Sequence, residues 1–143
     1  MSPLGDRDEG SRTLDVMARW HEVVEARDEA KLRDLLDPDA VFESPVVHTP
    51  QQGREITTRY LMAAFDVLNN DSFHYLGRWD GDGSAVLEFA TEIDGIRING
   101  VDMIWWNAAG RITRFKVMVR PLKAINLLHH KMGARLMAAA GGG

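Results

Sequence analysis

The stretch 99-NGVDMIWWNAAGRI-112 decides how this sequence is interpreted. Its apolar residues alternate with period two, which predicts a β-strand over 97–107 and a turn at 108-AAG-110. Asp102 falls on the same row of this strand as Ile98, Ile104 and Trp106. An acid on such a row either takes part in chemistry within a cavity or acts as a hydrogen-bonding strut, that is, a group that stabilises the fold through hydrogen bonds. The pattern leaves both roles possible.

The opposite row of the same strand is also apolar, since it carries Val101, Met103 and Trp105. An antiparallel sheet with one face in water normally alternates between apolar and polar residues. Both faces of this strand are therefore expected to be covered. A second subunit is the economical cover, which predicts a homodimer through the face of Val101, Met103 and Trp105. A C-terminal helix folded across that face would give the same pattern.

Further elements follow outward from this strand. Period-two patterns predict four more strands, and apolar spacing of three to four predicts four helices. The predicted strands are 40–44, 72–80, 84–94 and 111–120, besides 97–107, and the predicted helices are 13–27, 29–36, 54–68 and 122–137. The segment 45–53 contains two prolines and a glycine and is predicted to be a loop. Helices segregated from antiparallel strands indicate the α+β class.

Composition limits the function and the location. The 143 residues suit a single domain over 12–137, between a disordered lead over 1–11 and a flexible tail over 138–143. A net charge of −4 argues against nucleic acid or an anionic membrane as partner, and the absence of cysteine excludes thiol chemistry. Neither a signal peptide nor a run of about 18 apolar residues is present, so a cytoplasmic location is expected.

Neither a metal nor a cofactor is expected. The sequence has no phosphate loop and no dinucleotide fingerprint. His129 and His130 are adjacent on a predicted helix and therefore point about 100° apart, which suits chelation of one metal poorly.

The order of elements and five local patterns resemble the NTF2-like superfamily, within it the SnoaL-like branch that includes polyketide cyclases and ketosteroid isomerases. The resemblance covers about Thr13 to Leu136. It implies a cone in which a curved antiparallel sheet wraps three N-terminal helices around one deep apolar pocket, with a further C-terminal helix. The patterns are 20-WHEVVEARD-28, 35-LLDPDAVFESPV-46, Gly53-Arg54-Glu55, 100-GVDMIWWNAAGRI-112 and 115-FKVMVRP-121.

The resemblance carries over only part of the known catalytic sets. Ketosteroid isomerases place a proton-shuttling Asp just before a proline, where this chain has Ser44. Their oxyanion hole combines a first-helix tyrosine, here Trp20, with a strand acid, here Asp102. The acid that epoxide hydrolases of this fold carry on the last strand is replaced by Val117. Asp102 is thus the candidate catalytic residue.

The function implied by the resemblance is cofactor-free acid/base chemistry, of isomerase, cyclase or hydratase type. Its substrate would be a hydrophobic polyketide-, steroid- or terpenoid-like molecule. An apolar pocket would raise the pKa of Asp102, as a general acid requires. The alternative is a non-catalytic ligand-binding or dimerisation module of the same fold. The expected pocket residues are Trp20, Phe42, Ser44, His48, Tyr60, Phe65, Phe115 and Val117.

Overall fold

The structure is a computed structural model that describes residues 16–141, with side chains up to residue 138. The predicted disordered lead over 1–11 lies outside the described residues. Within them, no helix is long and apolar enough to cross a membrane.

The described chain forms helices on one side of a single six-stranded sheet. The helices are α1 (16–26), α2 (Glu29–Leu35), α3 (Arg54–Leu68) and α4 (Leu122–Gly141). The strands are β1 (Leu36–Glu43), β2 (Gln51–Gln52), β3 (His74–Gly81), β4 (Ser84–Ile93), β5 (Ile96–Trp106) and β6 (Ile112–Arg120).

The sheet is curved and has the order β2-β1-β6-β5-β4-β3, with β3 to β6 as an antiparallel meander. β1 joins the meander by parallel pairing with β6. The inner face carries a buried row from each long strand, including Phe89, Ile104 and Phe115, and packs against Trp20 of α1 and Phe65 of α3. The predicted α+β fold is confirmed.

Some boundaries differ from the prediction for identifiable reasons. β1 begins at Leu36 rather than residue 40, but its register with β6 shifts between Leu36 and Val41, so regular pairing starts close to the predicted boundary, after Pro38. β2 is only two residues long and lies in the predicted loop. α4 continues to Gly141 rather than ending at 137, because the alanines after Met137 are strong helix formers.

The outer face of the sheet keeps its apolar character. Val101, Met103 and Trp105 are half-buried there, while Trp79 and Met118 are each more than half exposed. α4 does not cover this face, because its side chains Leu128 and Met132 lie over the inner side. The alternative in which the C-terminal helix covers the outer face is thus not what the described residues show.

Close packing of the inner face depends on Gly100 of β5. A methyl group there would lie 2.5 Å from Cζ of Phe89 and 2.7 Å from the carbonyl oxygen of Met118. Gly100→Ala is therefore expected to lower the free energy of unfolding by about 1–3 kcal/mol, the usual cost of overpacking. Chemical denaturation measures this change.

Gly133 of α4 is the matched control, since nothing lies within 4 Å of a methyl group built there. Gly133→Ala is expected to raise the free energy of unfolding by about 0.5–1 kcal/mol through helix propensity. Equal effects of the two substitutions would contradict this account of β5.

Candidate functional site

A deep apolar pocket lies between the inner face of the sheet and three helices, α1, α3 and α4. It contains about 650 Å³ of space, including its open mouth. Aromatic and aliphatic side chains make up most of its wall, and Asp102 is the only carboxylic acid among its described wall residues. The pocket therefore combines an apolar lining with one ionisable acid.

Asp102 is placed on this wall by the register of β5. Its ladder neighbours are Leu87 of β4 and Val117 of β6, both apolar and buried, and Asp102 itself is only 8% exposed. Removal from water disfavours the carboxylate, and this burial raises the pKa of Asp102 to about 7. The acid is therefore close to half protonated at neutral pH.

No described residue forms a hydrogen bond or an ion pair with the Asp102 carboxyl. A hydrogen-bonding strut would need such a partner, and neither Trp20, Tyr60, His48 nor a described arginine takes that role. Its carboxyl thus remains available to a ligand in the pocket.

Two further polar groups accompany Asp102. The phenol of Tyr75, on β3, also lines the pocket, and its pKa is raised by burial and by the nearby charge of Asp102. The indole nitrogen of Trp20 is buried, and although it lies near the Tyr75 phenol it has no regular hydrogen bond to a described residue. An unpaired buried N–H is uncommon in proteins, so this donor is available to a ligand.

The ring of Tyr75 is backed by His21 of α1. The two rings meet edge to face with centroids 5.3 Å apart. Burial and the positive charge of Arg78 lower the pKa of His21, so it is neutral at physiological pH. His21 therefore helps to hold Tyr75 without adding a charge beside the pocket.

Most of the expected pocket residues lie on the same wall as Asp102. Ser44 follows the end of β1. The aromatic members contact one another in tilted pairs, with Trp20 4.8 Å from Phe115 and 5.6 Å from Phe65 between ring centroids. The expected residues that the structure brings together are Trp20, Phe42, Ser44, Phe65, Phe115 and Val117.

The expected positions of Tyr60 and His48 need correction, because neither lies on the pocket wall. Tyr60 precedes the wall residue Leu61 by one position on α3 and therefore points about 100° away from it. It packs instead against Phe42, with ring centroids 5.5 Å apart. His48 is exposed and lines a separate cleft outside the pocket, beside Lys116.

Sequence reasoning missed several wall residues, Tyr75 above all. Strict alternation along β3 puts Tyr75 and Trp79 on the same face, but a register shift between Tyr75 and Gly77 separates them. Tyr75 pairs with inward-facing Phe89, whereas Trp79 pairs with Val86 and is 58% exposed. The glycine inside the strand was the available signal for a bulge. The other missed residues include Phe73, Phe89, Leu128 and Met132.

Within the described part of the chain, no group of three or more His, Cys, Asp or Glu residues is placed to hold a metal ion. The chemistry of the pocket therefore has to be derived from Asp102, Tyr75 and Trp20.

Fold and pocket together define a SnoaL-like protein of the NTF2-like superfamily. The SnoaL-like domain family matches residues 17–115, and the chain belongs to this family. No curated protein sequence matches the chain significantly.

Solved structures show the same relationship. A steroid delta-isomerase from Pseudomonas aeruginosa is 35% identical, with 91% of this chain and 95% of that chain covered and a TM-score of 0.85. An uncharacterised bacterial protein with a cystatin-like fold from Silicibacter pomeroyi is 31% identical, with 87% of each chain covered and a TM-score of 0.80. An NTF2-like protein of unknown function from Mesorhizobium loti shares the fold at 20% identity, with 78% and 93% covered and a TM-score of 0.66.

The buried acid makes stability depend on pH in a specific direction. In the folded protein Asp102 keeps its proton up to about pH 7, whereas in the unfolded chain the carboxyl group loses its proton near pH 3.9. The unfolded state therefore binds fewer protons between these values, and the free energy of unfolding falls as pH rises from about 4 to 7. Asp102→Asn removes this pH-dependent decrease. The free energy of unfolding of the variant, relative to that of the native chain, should therefore increase by about 4 kcal/mol between pH 4 and pH 8.

Chemical denaturation at a series of pH values measures this difference. Asp71→Asn is the matched control, because it removes an exposed carboxylate from a turn. A difference between Asp102→Asn and the native chain that stays constant with pH would mean that the acid is ionised in the folded protein.

Proposed function

We propose that this chain is a cofactor-free enzyme that transfers protons on a hydrophobic carbonyl compound, in the manner of an isomerase or cyclase. The observation that supports this proposal most directly is the single carboxylic acid, Asp102, which is unpaired on an apolar wall and has a pKa near neutrality. Such an acid can give and take a proton at physiological pH. The steroid-isomerase relative supports a fused-ring ketone as substrate class.

The aromatic wall is suited to such a substrate. Trp20, Phe42, Phe65 and Phe115 form a connected cluster of rings, tilted at Trp20 and stacked between Phe42 and Phe115, against which flat apolar rings can pack. Protonated Asp102 and the N–H of Trp20 are both hydrogen-bond donors. A ligand oxygen at this end of the pocket is therefore expected to be an acceptor, as a carbonyl oxygen is.

The proposed chemistry needs only one acid–base group. Asp102 gives its proton to the carbonyl oxygen, which leaves a carboxylate and a protonated ketone. The carboxylate then takes a proton from a carbon beside the carbonyl, so that an enol forms and the acid is restored. Return of the acid's proton to a different carbon, followed by transfer of the enol O–H proton to the Asp102 carboxylate, shifts the double bond and restores both the ketone and the acid. For ring closure, the enol carbon attacks a second carbonyl carbon and breaks its π bond. Asp102 protonates the new alkoxide oxygen and regains its proton from the enol O–H.

Tyr75 supports these steps from beside Asp102. Its hydroxyl keeps its proton over the whole range in which Asp102 titrates, because the pKa of Tyr75 is raised. It can therefore donate a hydrogen bond to the carboxylate or to the enol oxygen while Asp102 is ionised.

A second candidate function is a binding module without catalysis. Ser44 favours it, because this position would hold the base in a ketosteroid isomerase, and a hydroxyl cannot take that role. The two functions differ in what Asp102 does: an enzyme needs its proton exchange, whereas a binding module needs at most its hydrogen bond.

The test is conjugation of a β,γ-unsaturated steroid ketone, followed by ultraviolet absorbance. Asp102→Asn retains the size and a hydrogen-bond donor but cannot exchange a proton, so turnover should fall by about 10²–10⁴-fold with the fold intact. In the native protein the rate should decline as pH rises through about 7, because the protonated acid starts the reaction. Asp71→Asn should keep full activity; equal activity of both variants would support the binding module.

We also propose that a second copy of this chain covers the outer face of the sheet over β3 to β5, away from the edge formed by β6 and loop 44–50. This part of the face carries an apolar centre, including Trp79, Met103 and Trp105, with acidic Glu88 on β4 and basic Arg97 on β5. The acidic and basic sides of the face lie on different strands, so a two-fold axis could bring the acidic side of one copy over the basic side of the other. A solvent-exposed apolar face of this kind is typical of an interface.

Trp79→Glu should disrupt this dimer, because it places an acid in the apolar centre of the face, and Trp79 is 58% exposed. Sedimentation equilibrium should show at least tenfold weaker self-association. Met137→Glu is the matched control, since Met137 is 77% exposed and lies near the end of α4. A native protein that stays monomeric at all concentrations would rule the dimer out.

A further inference from the structure

The sheet contains a gap beside the pocket. Parallel pairing between β1 and β6 ends at Glu43 and Lys116, after which β1 gives way to the loop 44–50. β6 continues for four more residues, to Arg120, without pairing with β1. A space therefore opens between this loop and the last part of β6.

The pocket reaches this gap from inside, and an outer cleft reaches it from outside. The cleft holds about 740 Å³ of space, including open solvent. Four residues line both the cleft and the pocket, namely Ser44, Pro45, Val117 and Val119. Shared walls on the two sides of one gap mean that the two spaces adjoin there.

The outer cleft differs from the pocket in carrying cationic and donor groups. The ammonium group of Lys116 is 3.9 Å from the nearest Glu43 oxygen, which is too long for a hydrogen bond. Glu43 instead accepts a hydrogen bond from Nε of Arg114 at 2.6 Å, and this bond lowers the pKa of Glu43. Glu43 also lines the cleft and keeps a longer ion pair with Lys116, so that two cations, Lys116 and Arg114, share this one carboxylate and leave the cleft with an excess of positive charge.

His48 lies in the same cleft and adds a second donor. Its side chain is exposed and makes no hydrogen bond to a described residue. A neutral imidazole still carries one N–H, so His48 can donate to an anion whether or not it is charged.

We propose that this gap is a side opening of the pocket and that the ligand carries a carboxylate that binds Lys116 and His48 there. The apolar body of such a ligand fills the pocket, and its carbonyl lies at the Asp102 end. The inference rests on the proposed function, which supplies the apolar carbonyl-bearing body, and it adds an anionic group at the gap, which opens beside Val117, the ladder neighbour of Asp102. Neutral ring compounds are then weaker ligands than their carboxylated counterparts.

The experiment compares two probes that differ only in charge, androst-4-en-3-one-17β-carboxylate and its methyl ester, by titration calorimetry on the full chain. The carboxylate should bind about three- to tenfold more tightly, as one partly exposed ion pair allows, and this preference should shrink at high salt. Lys116→Met should lower carboxylate affinity to the level of the ester and leave ester affinity unchanged.

Further variants separate charge from structure. Lys116→Arg should restore the preference, and Lys116→Gln provides a polar replacement if Lys116→Met disturbs the fold. Lys123→Met is the matched control, because Lys123 is exposed on α4 and lines neither the pocket nor the cleft. Equal affinities of the two probes would overturn the carboxylate site while leaving the pocket function intact. Failure of both probes to bind would instead count against the proposed function, and the carboxylate site would fall with it.

Discussion

The burial of one carboxylic acid in an apolar wall is the constraint on which the site depends. Transfer of a carboxylate from water to a low-dielectric interior is costly, and a group with no compensating partner keeps its proton instead. Asp102 has apolar ladder neighbours, Leu87 and Val117, and desolvation is the cause of its raised pKa. The same side chains that shape the pocket therefore also set the protonation state of its acid.

This coupling links the packing of β5 to the pKa of Asp102. Gly100 lies one inward-facing position before Asp102 on the strand, and the ring of Phe89 packs against it. Phe89 also lines the pocket and stacks on Phe73 with ring centroids 5.5 Å apart. A displaced Phe89 would open the wall to water beside the acid. The small residue in the strand is thus explained by the pocket as well as by the core.

Much of the fold and part of the site could be predicted from the sequence. The alternation of side chains along β5 correctly predicted that Asp102 lies on the inner row, because the strands paired with β5 alternate between the two faces in the same register. Period two failed at β3, where the register shift after Tyr75 brings the phenol to the acid and turns Trp79 outward. Gly77 signals a bulge in β3, but the side to which each neighbouring residue turns is set by pairing with β4, which the sequence of one strand does not determine.

Helix and loop residues show a different limit of prediction. On α3, Tyr60 and the wall residue Leu61 differ by one position, and apolar spacing alone does not decide which of them faces the sheet. Loop 44–50 has no period, so the position of His48 outside the pocket could be found only from the structure. The aromatic members Phe42, Phe65 and Phe115 were predictable because each lies on a regular inward row.

Ser44 gives the site its final distinguishing property. Where two carboxylic acids share one apolar pocket, each shifts the pKa of the other through charge repulsion. Because position 44 is a serine, Asp102 titrates without a second carboxylate among the wall residues. Its pKa is therefore set by how far the pocket excludes water. A ligand that fills the pocket and excludes water should therefore strengthen the protonated form. Binding of such a ligand and protonation of Asp102 would then favour each other, because both depend on the exclusion of water from the same wall.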